Sequence, residues 1–394
     1  MAEAVVVVGG GIAGLASAVG LARRGWHVTV LERARVVREL GAGFALSRNG
    51  LAAAIALGID PERVRAIGHP TWASGTWDLH GREILRLPGS GPARTATALV
   101  GLHRARLHAL LLEAAREAGA TVTPGVVVDR VETGDARGAR ASVRAGERTW
   151  TADLVVGADG VRSTVRGVVQ PGRDAGYSGY SSWRAIAPGA VGEGELRQYW
   201  GPHAEFGHLG TGAEETYWYG YVRTAAGARF SSEHAAATRR FTTWAEPVRD
   251  LVAATPAEAV IRHDVDALPV TDQPYALGRA VLVGDAAHAM LPTMGQGVAT
   301  AIEDAATLTL LVPDGEAAGS RGPRAALAEA LARYDDVRRP RCAAMSRMSA
   351  ASGAIGAHLG PGRRQRVRNA VMGAVPPGLT SRGAESVTSW EPPA

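Results

Sequence analysis

Three glycines near the start of the chain have the spacing of a phosphate-binding turn. The segment Gly9-x-Gly11-x-x-Gly14 follows a β-branched run and opens a stretch rich in Ala and Leu. The first glycine would allow a tight bend, the second would let a pyrophosphate approach the backbone, and the third would let helix pack on strand. Glu32, at the end of the next strand-like run, is placed to accept a hydrogen bond from a ribose hydroxyl. The pattern predicts a bound dinucleotide, either NAD or FAD.

Two later segments repeat the arrangement of a buried strand followed by a glycine and a carboxylate. They are Gly157-Ala158-Asp159-Gly160 and Gly284-Asp285-Ala286-Ala287-His288, the second followed by Pro292 and by Gly295-Gln296-Gly297. A carboxylate in the position of Asp285 can accept a hydrogen bond from a sugar-like hydroxyl. The residues from Gly295 to Ala299 would begin a helix whose N–H groups favour negative charge in front of them.

Together the three motifs resemble the FAD-dependent aromatic hydroxylases, which are class A flavoprotein monooxygenases with the p-hydroxybenzoate hydroxylase fold. The similarity covers residues 5 to about 341 and is greatest to the salicylate hydroxylase-like and urate hydroxylase-like branch. The resemblance implies FAD as the cofactor. The positions that it assigns to FAD binding are Gly9, Gly11, Ala13, Gly14, Glu32, Arg33, Gly43, Ala45, Arg104, Val128, Asp159, Asp285, Pro292, Gly295, Gln296, Gly297, Val298 and Ala299.

Some of these assignments come from the resemblance alone. The segment Gly41–Ala45 is similar to the family's mobile-flavin loop, and Arg104 stands at the start of a Leu-x-Arg-x-x-Leu helix. Val128, expected in a following strand, would meet the adenine through its main chain. Because a second Gly-x-Gly-x-x-Gly is absent, NAD(P)H is expected to bind transiently near Asp159 and Arg162. The resemblance leaves open which nicotinamide is used.

The implied activity is that of a single-component monooxygenase that uses NAD(P)H and O₂. In this family NAD(P)H reduces FAD, O₂ is captured as a flavin C4a-hydroperoxide, and one oxygen atom passes to the substrate. The expected substrate is an aromatic, heteroaromatic or polycyclic small molecule, which is hydroxylated or epoxidised. Two alternatives stay open. One is a flavoprotein oxidoreductase or dehydrogenase that does not insert oxygen, and the other is a tetracycline-type antibiotic-inactivating monooxygenase.

Substrate contacts are expected from the Tyr- and Trp-rich stretches between residues 174 and 263. Tyr217 and Arg184 are the predicted contacts, although sheet packing is an alternative role for any single aromatic residue there. The other candidates are Trp183, Tyr199, His208, Tyr219 and Tyr221.

Three departures or ambiguities bear on the substrate site. Where the urate hydroxylase-like branch carries Gly-Glu-Gly-Lys-Arg with its substrate arginine, this chain has Gly201-Pro202-His203-Ala204-Glu205, so urate is a doubtful substrate. Arg48-Asn49 replaces the family's Pro-Asn, which places a cation, Arg48, either near the substrate cavity or on the surface, and the surface position is favoured. His288 could act as a base, but its motif favours packing beneath the flavin loop.

The elements that must position these residues form an α/β fold with an α+β insert. Val5–Val8, a helix from Ile12 and the strand Val28–Glu32 make a β-α-β unit, which predicts a parallel, Rossmann-like FAD-binding domain. Alternating aromatic segments predict a mostly antiparallel β-sheet substrate domain, and Ala-rich C-terminal helices follow. The predicted ranges are 1–71, 99–173 and 264–322 for the FAD domain, 72–98 and 174–263 for the substrate domain, and 323–394 for a helical region with a frayed tail.

Composition excludes several classes of protein. All 43 basic residues are Arg, so lysine-dependent chemistry is absent, including a pyridoxal Schiff base, a Walker A site and the lysine of flavin-dependent halogenases. The single cysteine, Cys342, and the lack of Cys/His metal spacings predict no metal and a cytoplasmic location. No membrane span is expected. The Arg-rich residues 321–368 are expected to be solvated helix faces or a dimer surface, not a nucleic-acid site, in a monomer or homodimer.

Overall fold

Two large sheets, each covered by helices, make up the computed structural model, which describes residues 3–37, 42–88, 94–135, 138–191, 194–315, 323–376, 383, 385 and 387–393. The strands are β1 Ala4–Val8, β2 His27–Glu32, β3 Gly43–Ser47, β4 Gly68–Asp78, β5 Glu83–Arg86, β6 Ala98–His103, β7 Thr121–Pro124, β8 Arg130–Glu132, β9 Ala141–Ala145, β10 Arg148–Ala152, β11 Leu154–Gly157, β12 Gly176–Pro188, β13 Leu196–Gly201, β14 Ala204–Gly212, β15 Glu215–Arg223, β16 Ile261–Ala267, β17 Ala276–Leu277 and β18 Ala280–Leu282. The helices are α1 Ile12–Arg23, α2 Arg48–Ala56, α3 Pro61–Ala66, α4 Arg94–Thr97, α5 Arg104–Glu117, α6 Thr164–Val169, α7 Glu233–Phe241, α8 Glu246–Ala254, α9 Asp285–His288, α10 Gly297–Leu311, α11 Pro323–Ile355 and α12 Arg363–Gly373.

The first sheet is the predicted parallel, doubly wound one. Its strand order is β17-β18-β11-β1-β2-β7, and only the short edge strand β17 runs antiparallel to its neighbour. The β-branched run Val5–Val8 occupies the centre, between β11 and β2, and is buried on both faces as such a run favours. The three carboxyl ends of β1, β11 and β18 therefore lie side by side, each followed by one of the three glycine-containing motifs.

Close packing of helices holds this sheet in place. At Gly20 of α1 a Cβ atom would lie 2.2 Å from Oγ1 of Thr309 on α10, so the glycine lets the two helices approach each other. The strands β8, β9 and β10 form a small antiparallel sheet of order β10-β9-β8 between β7 and β11 in the chain.

The second sheet contains the aromatic strands. Its order is β16-β12-β15-β14-β13-β4-β6-β3, with β5 paired to β4, and its pairs are antiparallel except for β13 with β4. Strands β3 and β6, from ranges predicted for the FAD domain, belong to it. One face packs on α7 and α8 through a core that includes Phe206, Trp218 and Phe241. On the opposite face, Tyr180 and Tyr221 pack with Leu291 and Ala357.

Several sequence predictions about these elements need correction. The predicted strand 121–128 ends at Pro124, so Val128 lies in an irregular segment. In the expected frayed tail, Val387 is buried and Trp390 packs against the large core, whereas most of residues 377–386 lie outside the described residues. Arg338, expected on a solvated face, is fully buried. Gly41 lies outside the described residues. Among the helices described, none combines the length and the apolar character needed to cross a bilayer.

Candidate functional site

The three glycines of the first glycine turn have different roles. Gly9 has a φ of 107°, and a Cβ there would lie 2.3 Å from the carbonyl oxygen of Ala158. At Gly14 a Cβ would lie 1.9 Å from the carbonyl oxygen of Gly9. At Gly11, in contrast, a Cβ would meet nothing within 4 Å. The first and third glycines are therefore required by the packing of the chain itself, whereas the second leaves an empty cradle in front of α1.

A cavity of about 360 Å³ opens at this cradle. No described side chain caps the first turn of α1, so the N–H groups of that turn point towards the cavity together with the positive end of the helix dipole. A pyrophosphate fits this combination of free N–H groups and empty space. The cavity is lined by Val8, Gly9, Gly10, Gly11, Leu31, Glu32, Arg33, Ala34, Val37, Arg104, His108, Val126, Val127, Val128, Ala158, Asp159, Gly160, Arg162 and Thr164.

Glu32 has a second role that the motif did not indicate. Its Oε2 accepts a hydrogen bond from the backbone N–H of Gly10 at 2.7 Å, and its Oε1 accepts one from that of Ala34 at 2.8 Å. Each carboxylate oxygen can accept a further hydrogen bond, so the side chain can shape the turn and also meet a ribose hydroxyl. His108 braces the same turn from α5, with Nε2 2.8 Å from the carbonyl oxygen of Gly10.

The Asp159 side chain mainly accepts hydrogen bonds at the start of α6. Its Oδ1 accepts a hydrogen bond from the hydroxyl of Ser163 at 2.5 Å, and Oδ2 accepts one from the N–H of Thr164 at 2.7 Å. Burial raises the pKa of Asp159, and these hydrogen bonds oppose that shift. The neighbouring Arg162 is exposed, with its guanidinium 3.8 Å from Asp266. The two residues predicted to be near NAD(P)H thus lie at the cavity rim, one fixed in place and the other extended.

The third motif supplies a second cluster of N–H groups. Gly284 takes a φ of 59° after β18, which turns the exposed Asp285 out of the sheet, and no described residue hydrogen-bonds to its carboxylate. Beyond Pro292, Gly295 has a φ of 63°, and α10 begins at Gly297 without a side-chain cap. Val298 and the buried Ala299 lie in the first turn of α10. This arrangement matches the prediction of a hydroxyl acceptor followed by an uncapped helix start.

Behind this loop lies a buried charged cluster, which we call the His288 network: His288, Asp304, Arg338, Glu303 and Asn49. Asp304 Oδ2 is 2.5 Å from Nε2 of His288, and Nε of Arg338 donates to Asp304 Oδ1 at 2.7 Å. Burial alone would raise the pKa of Asp304, but His288 and Arg338 lower it to about 2. Burial would lower the pKa of His288, but Asp304 holds it well above its usual range.

The rest of the His288 network joins α2, α10 and α11. Glu303 accepts hydrogen bonds from Nη1 of Arg338 at 2.8 Å and from Nδ2 of Asn49 at 2.7 Å. Asn49 also donates to Oε1 of Gln296, which ties the loop before α10 to α2. His288 therefore packs beneath the loop, as its motif favoured. Asn49 is fully buried, whereas Arg48, the cation expected at the surface, is half-buried.

The residue types of this cluster could suggest a metal site. The ligand atoms of His288, Asp304 and Cys342 lie within 4.8 Å of one another. The guanidinium of Arg338 already occupies the Asp304 side of this space, 3.6 Å from the Cys342 sulfur, and would repel a cation. The geometry is that of an internal ion pair.

The predicted substrate residues Tyr217 and Arg184 lie on one face of the second sheet, which we call the tyrosine face. Tyr217 is buried against β3, which begins in the segment similar to the mobile-flavin loop and which we call the FAD-loop strand. A Cβ at Gly43 of this strand would lie 2.7 Å from the Tyr217 side chain. Burial raises the pKa of Tyr217, while Arg184 and Arg104 lower it. The positive charges of both arginines therefore act on the Tyr217 hydroxyl. Ala45 of β3 packs beside Tyr217.

Three other aromatic candidates point away from this junction. Trp183 packs against Phe241 of α7 and donates its indole N–H to Glu233 at 2.7 Å. Tyr199 stacks with His208, with ring centroids 5.9 Å apart. Strand alternation places all three candidates on the helix-covered face, which contains Phe206 and Trp218. They therefore lie on the face opposite to Tyr217 and Arg184.

The tyrosine face also contains residues that the sequence analysis did not select. Glu205 and Gln198 lie on it beside Tyr219, and Glu205 is buried. The available signal was strand alternation: residues at odd positions of β14 share a face with Tyr217, Tyr219 and Tyr221. The buried carboxyl group of Glu205 is a candidate functional group, because buried charges are uncommon without a partner.

With this geometry in place, comparison with known proteins decides the family. Residues 2–349 match the family described as the FAD binding domain. The chain belongs to this family. The glycine cradle, the uncapped helix starts and the exposed Asp285 fit FAD, so FAD is its cofactor, and the chain is an FAD-dependent monooxygenase.

Individual relatives in the FAD binding domain family are similar over most of their length. Aurachin C monooxygenase/isomerase of Stigmatella aurantiaca is 35% identical over 345 residues, 85% of this chain and 84% of the relative. 2-Heptyl-3-hydroxy-4(1H)-quinolone synthase of Pseudomonas aeruginosa is 31% identical over 315 residues, 78% of this chain and 80% of the relative. The crystal structure of Klebsiella pneumoniae HpxO with FAD and uric acid shares the fold, with a TM-score of 0.84, 24% identity and coverage of 98% and 96% of the two chains.

Proposed function

We propose that this enzyme inserts one oxygen atom into a nitrogen-containing bicyclic aromatic substrate of the 4-quinolone type, with NAD(P)H as the reductant. Two similar proteins, named for aurachin C and for a heptyl-hydroxyquinolone, support this substrate class. The residue at the urate branch's substrate-arginine position is Glu205, which supports a substrate other than urate. The proposal narrows the range of aromatic, heteroaromatic and polycyclic substrates that the sequence resemblance allows.

One observation carries the proposal: the tyrosine face meets the FAD-loop strand directly. Tyr217 is in van der Waals contact range of Gly43, and its hydroxyl hydrogen-bonds to no described residue. A flat ring that lies on the tyrosine face beside this contact would meet both Tyr217 and β3. Arg184 donates from Nε to Ser182 at 3.2 Å, which holds its guanidinium at the edge of this space. It can donate to a ring carbonyl or phenolate oxygen.

The proposed roles of the FAD-site residues follow from their positions. Gly9, Gly11 and Gly14 would accommodate the pyrophosphate, with the N–H groups of α1 as donors. Glu32 and Arg33 would meet the adenosine ribose, and the main chain at Val128 would border the adenine. Arg104 and Asp159 line the same cavity. Asp285 would accept from the ribityl chain, and the uncapped start of α10, from Gly295 to Ala299, would face the flavin ring.

Bound FAD supplies hydride acceptance from NAD(P)H and activation of O₂. The chain's own residues would bind and orient the substrate and keep water away from it. Positive potential at the start of α10 would stabilise negative charge on the reduced cofactor. The aromatic residues of the tyrosine face provide the apolar wall, because Tyr217, Leu209 and Ala42 form one buried cluster. No side-chain nucleophile is required.

The test is a coupled assay of the purified FAD-loaded enzyme with NADH and with NADPH. A 2-alkyl-4(1H)-quinolone is expected to accelerate NAD(P)H oxidation, to consume O₂ and to yield a product heavier by one oxygen atom. Salicylate and urate are comparison substrates. Acceleration of NAD(P)H oxidation without oxygen in any product would instead identify a flavoprotein oxidoreductase. Oxygen insertion only into salicylate or another single-ring compound would refute the quinolone-type substrate.

Three further predictions are proposals of smaller scope. The FAD domain is proposed to centre on the first sheet and the substrate domain on the second. A reducing, cytoplasmic compartment is proposed because the single cysteine, Cys342, is buried and reduced. A monomer or homodimer is proposed, and sedimentation of the purified protein measures which.

A further inference from the structure

Glu205 is a fully buried carboxyl group on the tyrosine face. It lies on β14 directly opposite Tyr221, with Tyr219 diagonal to it on β15. Only 1% of its surface is exposed, so water does not solvate its carboxyl group. A buried carboxyl group is costly unless hydrogen-bond donors surround it. Its hydrogen bonds therefore show whether the chain supplies donors to both oxygens of Glu205.

The two oxygens of Glu205 differ in their surroundings. Oε1 accepts a hydrogen bond from the hydroxyl of Tyr219 at 2.7 Å and one from Nε2 of Gln198 at 3.2 Å. Oε2 is buried and has no hydrogen-bond partner among the described residues. Trp200 is near enough for its indole N–H to lower the pKa of Glu205, yet the indole nitrogen is also unpartnered. One oxygen is thus fixed, and the other lacks a donor.

The neighbouring glycine keeps this arrangement in place. A Cβ at Gly207 would lie 2.3 to 2.5 Å from ring atoms of Tyr219, so the Tyr219 ring lies over the backbone of β14. This position brings the Tyr219 hydroxyl to Glu205. Tyr221 is engaged elsewhere, because it stacks on Tyr180 and its hydroxyl is 3.1 Å from Nε2 of His358. The proposed substrate would meet the section of the face between Tyr217 and Glu205.

A cationic hydrogen-bond donor, Arg184, lies at the other end of this section. Arg184 pairs with Tyr219 across β12 and β15, while Gly207 pairs with Tyr219 on the other side. Tyr219 therefore stands between a cationic donor on β12 and a carboxyl acceptor on β14. His263 of β16 pairs with Ser182, two residues from Arg184 on the same face of β12. Burial lowers the pKa of His263, and Arg184 and Arg104 lower it further. A flat substrate on this face meets a donor at one end and an acceptor at the other.

We propose that Glu205 is a specificity-determining residue whose free oxygen accepts a hydrogen bond from a ring N–H of the substrate, while Arg184 binds the oxygen across the ring. This inference rests on the proposed function and adds the orientation of the ring. A 4-quinolone has an N–H and a carbonyl on opposite sides of one ring, which matches the two ends of the face. Tyr219 and Gln198 act as positioning residues for the Glu205 carboxyl group.

The alternative is that Glu205 only stabilises the sheet through Tyr219. A purely structural carboxyl group would have both oxygens satisfied, since an unsatisfied buried polar atom costs about 1–3 kcal/mol. A structural role also predicts no dependence of ligand choice on Glu205. The two possibilities therefore differ in a measurement of ligand preference.

The experiment compares two probes, 2-heptyl-4(1H)-quinolone and 2-heptylchromen-4-one, in which a ring oxygen replaces the N–H. Dissociation constants for the FAD-loaded enzyme are measured by the change in flavin absorbance on binding, and kcat/KM is measured separately. The wild-type enzyme is expected to prefer the N–H probe by at least about tenfold, because loss of one donor leaves a buried acceptor unpaired. Glu205→Leu is expected to reduce this preference to less than about threefold.

Two variants make the comparison interpretable. Glu205→Gln keeps the shape of the side chain and an acceptor oxygen, and its preference is expected to lie between those of the other two enzymes. Glu215→Gln is the matched control, because Glu215 lies at the half-buried start of β15 in an ion pair with Arg106. Its preference is expected to equal the wild-type value. FAD content and the thermal midpoint establish that each variant is folded.

The outcomes separate this proposal from the proposed function. Equal affinity of the wild-type enzyme for the two probes overturns the role of Glu205, and so does an unchanged preference in Glu205→Leu, even if the quinolone is hydroxylated. If neither probe binds and another aromatic compound is hydroxylated, the quinolone-type substrate fails and this inference fails with it. A preference that is lost in Glu205→Leu and kept in Glu215→Gln supports both.

Discussion

The His288 network and the Glu205 site are both buried polar clusters, and they differ in how completely the chain satisfies them. In the first, Asp304 and Glu303 together face Arg338, His288 and Asn49, and each contact is a hydrogen bond of 2.5 to 2.8 Å. In the second, Oε2 of Glu205 has no partner within the described part of the chain.

The difference indicates separate purposes. In the His288 network both carboxylates are paired, and only Nδ1 of His288 has no hydrogen-bond partner among the described residues. Paired carboxylates of this kind fix the arrangement of the elements that supply their partners, here α2, α10, α11 and the loop after β18. A cluster with an unpaired oxygen is complete only when a ligand supplies the missing donor. The cradle at Gly11 is similar to the Glu205 site, because its space and its N–H groups are also left for a ligand. Stability and binding are thus assigned to different polar groups.

The largest expected effect is that of breaking the His288 network with Arg338→Met. The substitution removes the buried guanidinium that Asp304 and Glu303 share and leaves them only His288 and Arg341 as cationic partners, so the free energy of unfolding should fall by about 3–5 kcal/mol. Urea denaturation measures it. Arg339→Met is the matched control, because Arg339 makes a partly exposed ion pair with Asp335, and it should cost less than about 1 kcal/mol. Equal losses in the two variants would contradict a special role for the buried cluster.

The next prediction concerns pH and the Glu205 site. Burial raises the pKa of Glu205 from 4.5 to about 7. Because the folded-state pKa is the higher one, the contribution of Glu205 to stability is present below pH 4.5 and is lost as the pH rises through 7. Relative to Glu205→Gln, the wild-type protein should lose roughly 3 kcal/mol of unfolding free energy over this range. Denaturation curves at pH 4.5, 6 and 8 measure the difference.

His208, on the opposite face of β14, provides a control of opposite sign for the pH experiment. Burial lowers its pKa from 6.5 to about 4, so its contribution is present above pH 6.5 and is lost as the pH falls towards 4. The difference between the wild-type protein and His208→Leu should therefore change in the reverse direction. The same slope in both variants would show that the pH dependence arises elsewhere in the protein.

Gly11→Ala tests whether the cradle is left open for a ligand. The added methyl group meets no protein atom within 4 Å, so the unfolding free energy of the FAD-free protein should hardly change. FAD affinity should fall by about tenfold or more, which corresponds to about 1.4 kcal/mol, because the methyl group occupies the space in front of α1. Gly14→Ala should instead destabilise the FAD-free protein. Unchanged FAD affinity in Gly11→Ala would argue against the proposed pyrophosphate position.

The smallest effect is expected for Tyr219→Phe. The variant removes one of the two donors to Oε1 of Glu205 and should lower the unfolding free energy by about 1 kcal/mol at pH 8. It should also raise the pKa of Glu205 further, because the hydroxyl of Tyr219 opposes the effect of burial. A steeper pH dependence of stability than that of the wild-type protein measures this change. A flatter dependence would contradict the hydrogen bond.

Sequence patterns predicted the first sheet and its motifs well because they depend on neighbouring residues. The run Val5–Val8, the helix that follows Gly11 and the helix Gly297–Leu311 all occur where local periodicity and turn chemistry placed them. The strand predicted to include Val128 was too long, because Pro124 and Gly125 end it. The family and its cofactor followed from the three motifs.

Contacts between distant residues were the part that the sequence left open. Asn49 and Glu303 are 254 positions apart, and no local pattern indicates that they meet. Alternation along β12, β13 and β14 indicated which residues share a face, but not which face the helices α7 and α8 cover. Trp183, Tyr199 and His208 were therefore expected on the substrate side, whereas Glu205 was overlooked as an acceptor there.

What the sequence determined by itself is thus the dinucleotide fold, the FAD cofactor through its motifs, and the absence of lysine chemistry. These features are encoded locally, in glycine positions and in residue types. The tertiary structure alone decided which polar groups are paired and which face each strand turns to the FAD loop. The physical reason is that burial and pairing depend on the packing of whole elements. A carboxyl group can therefore be paired with cations, as at Asp304, or keep one oxygen without a donor, as at Glu205.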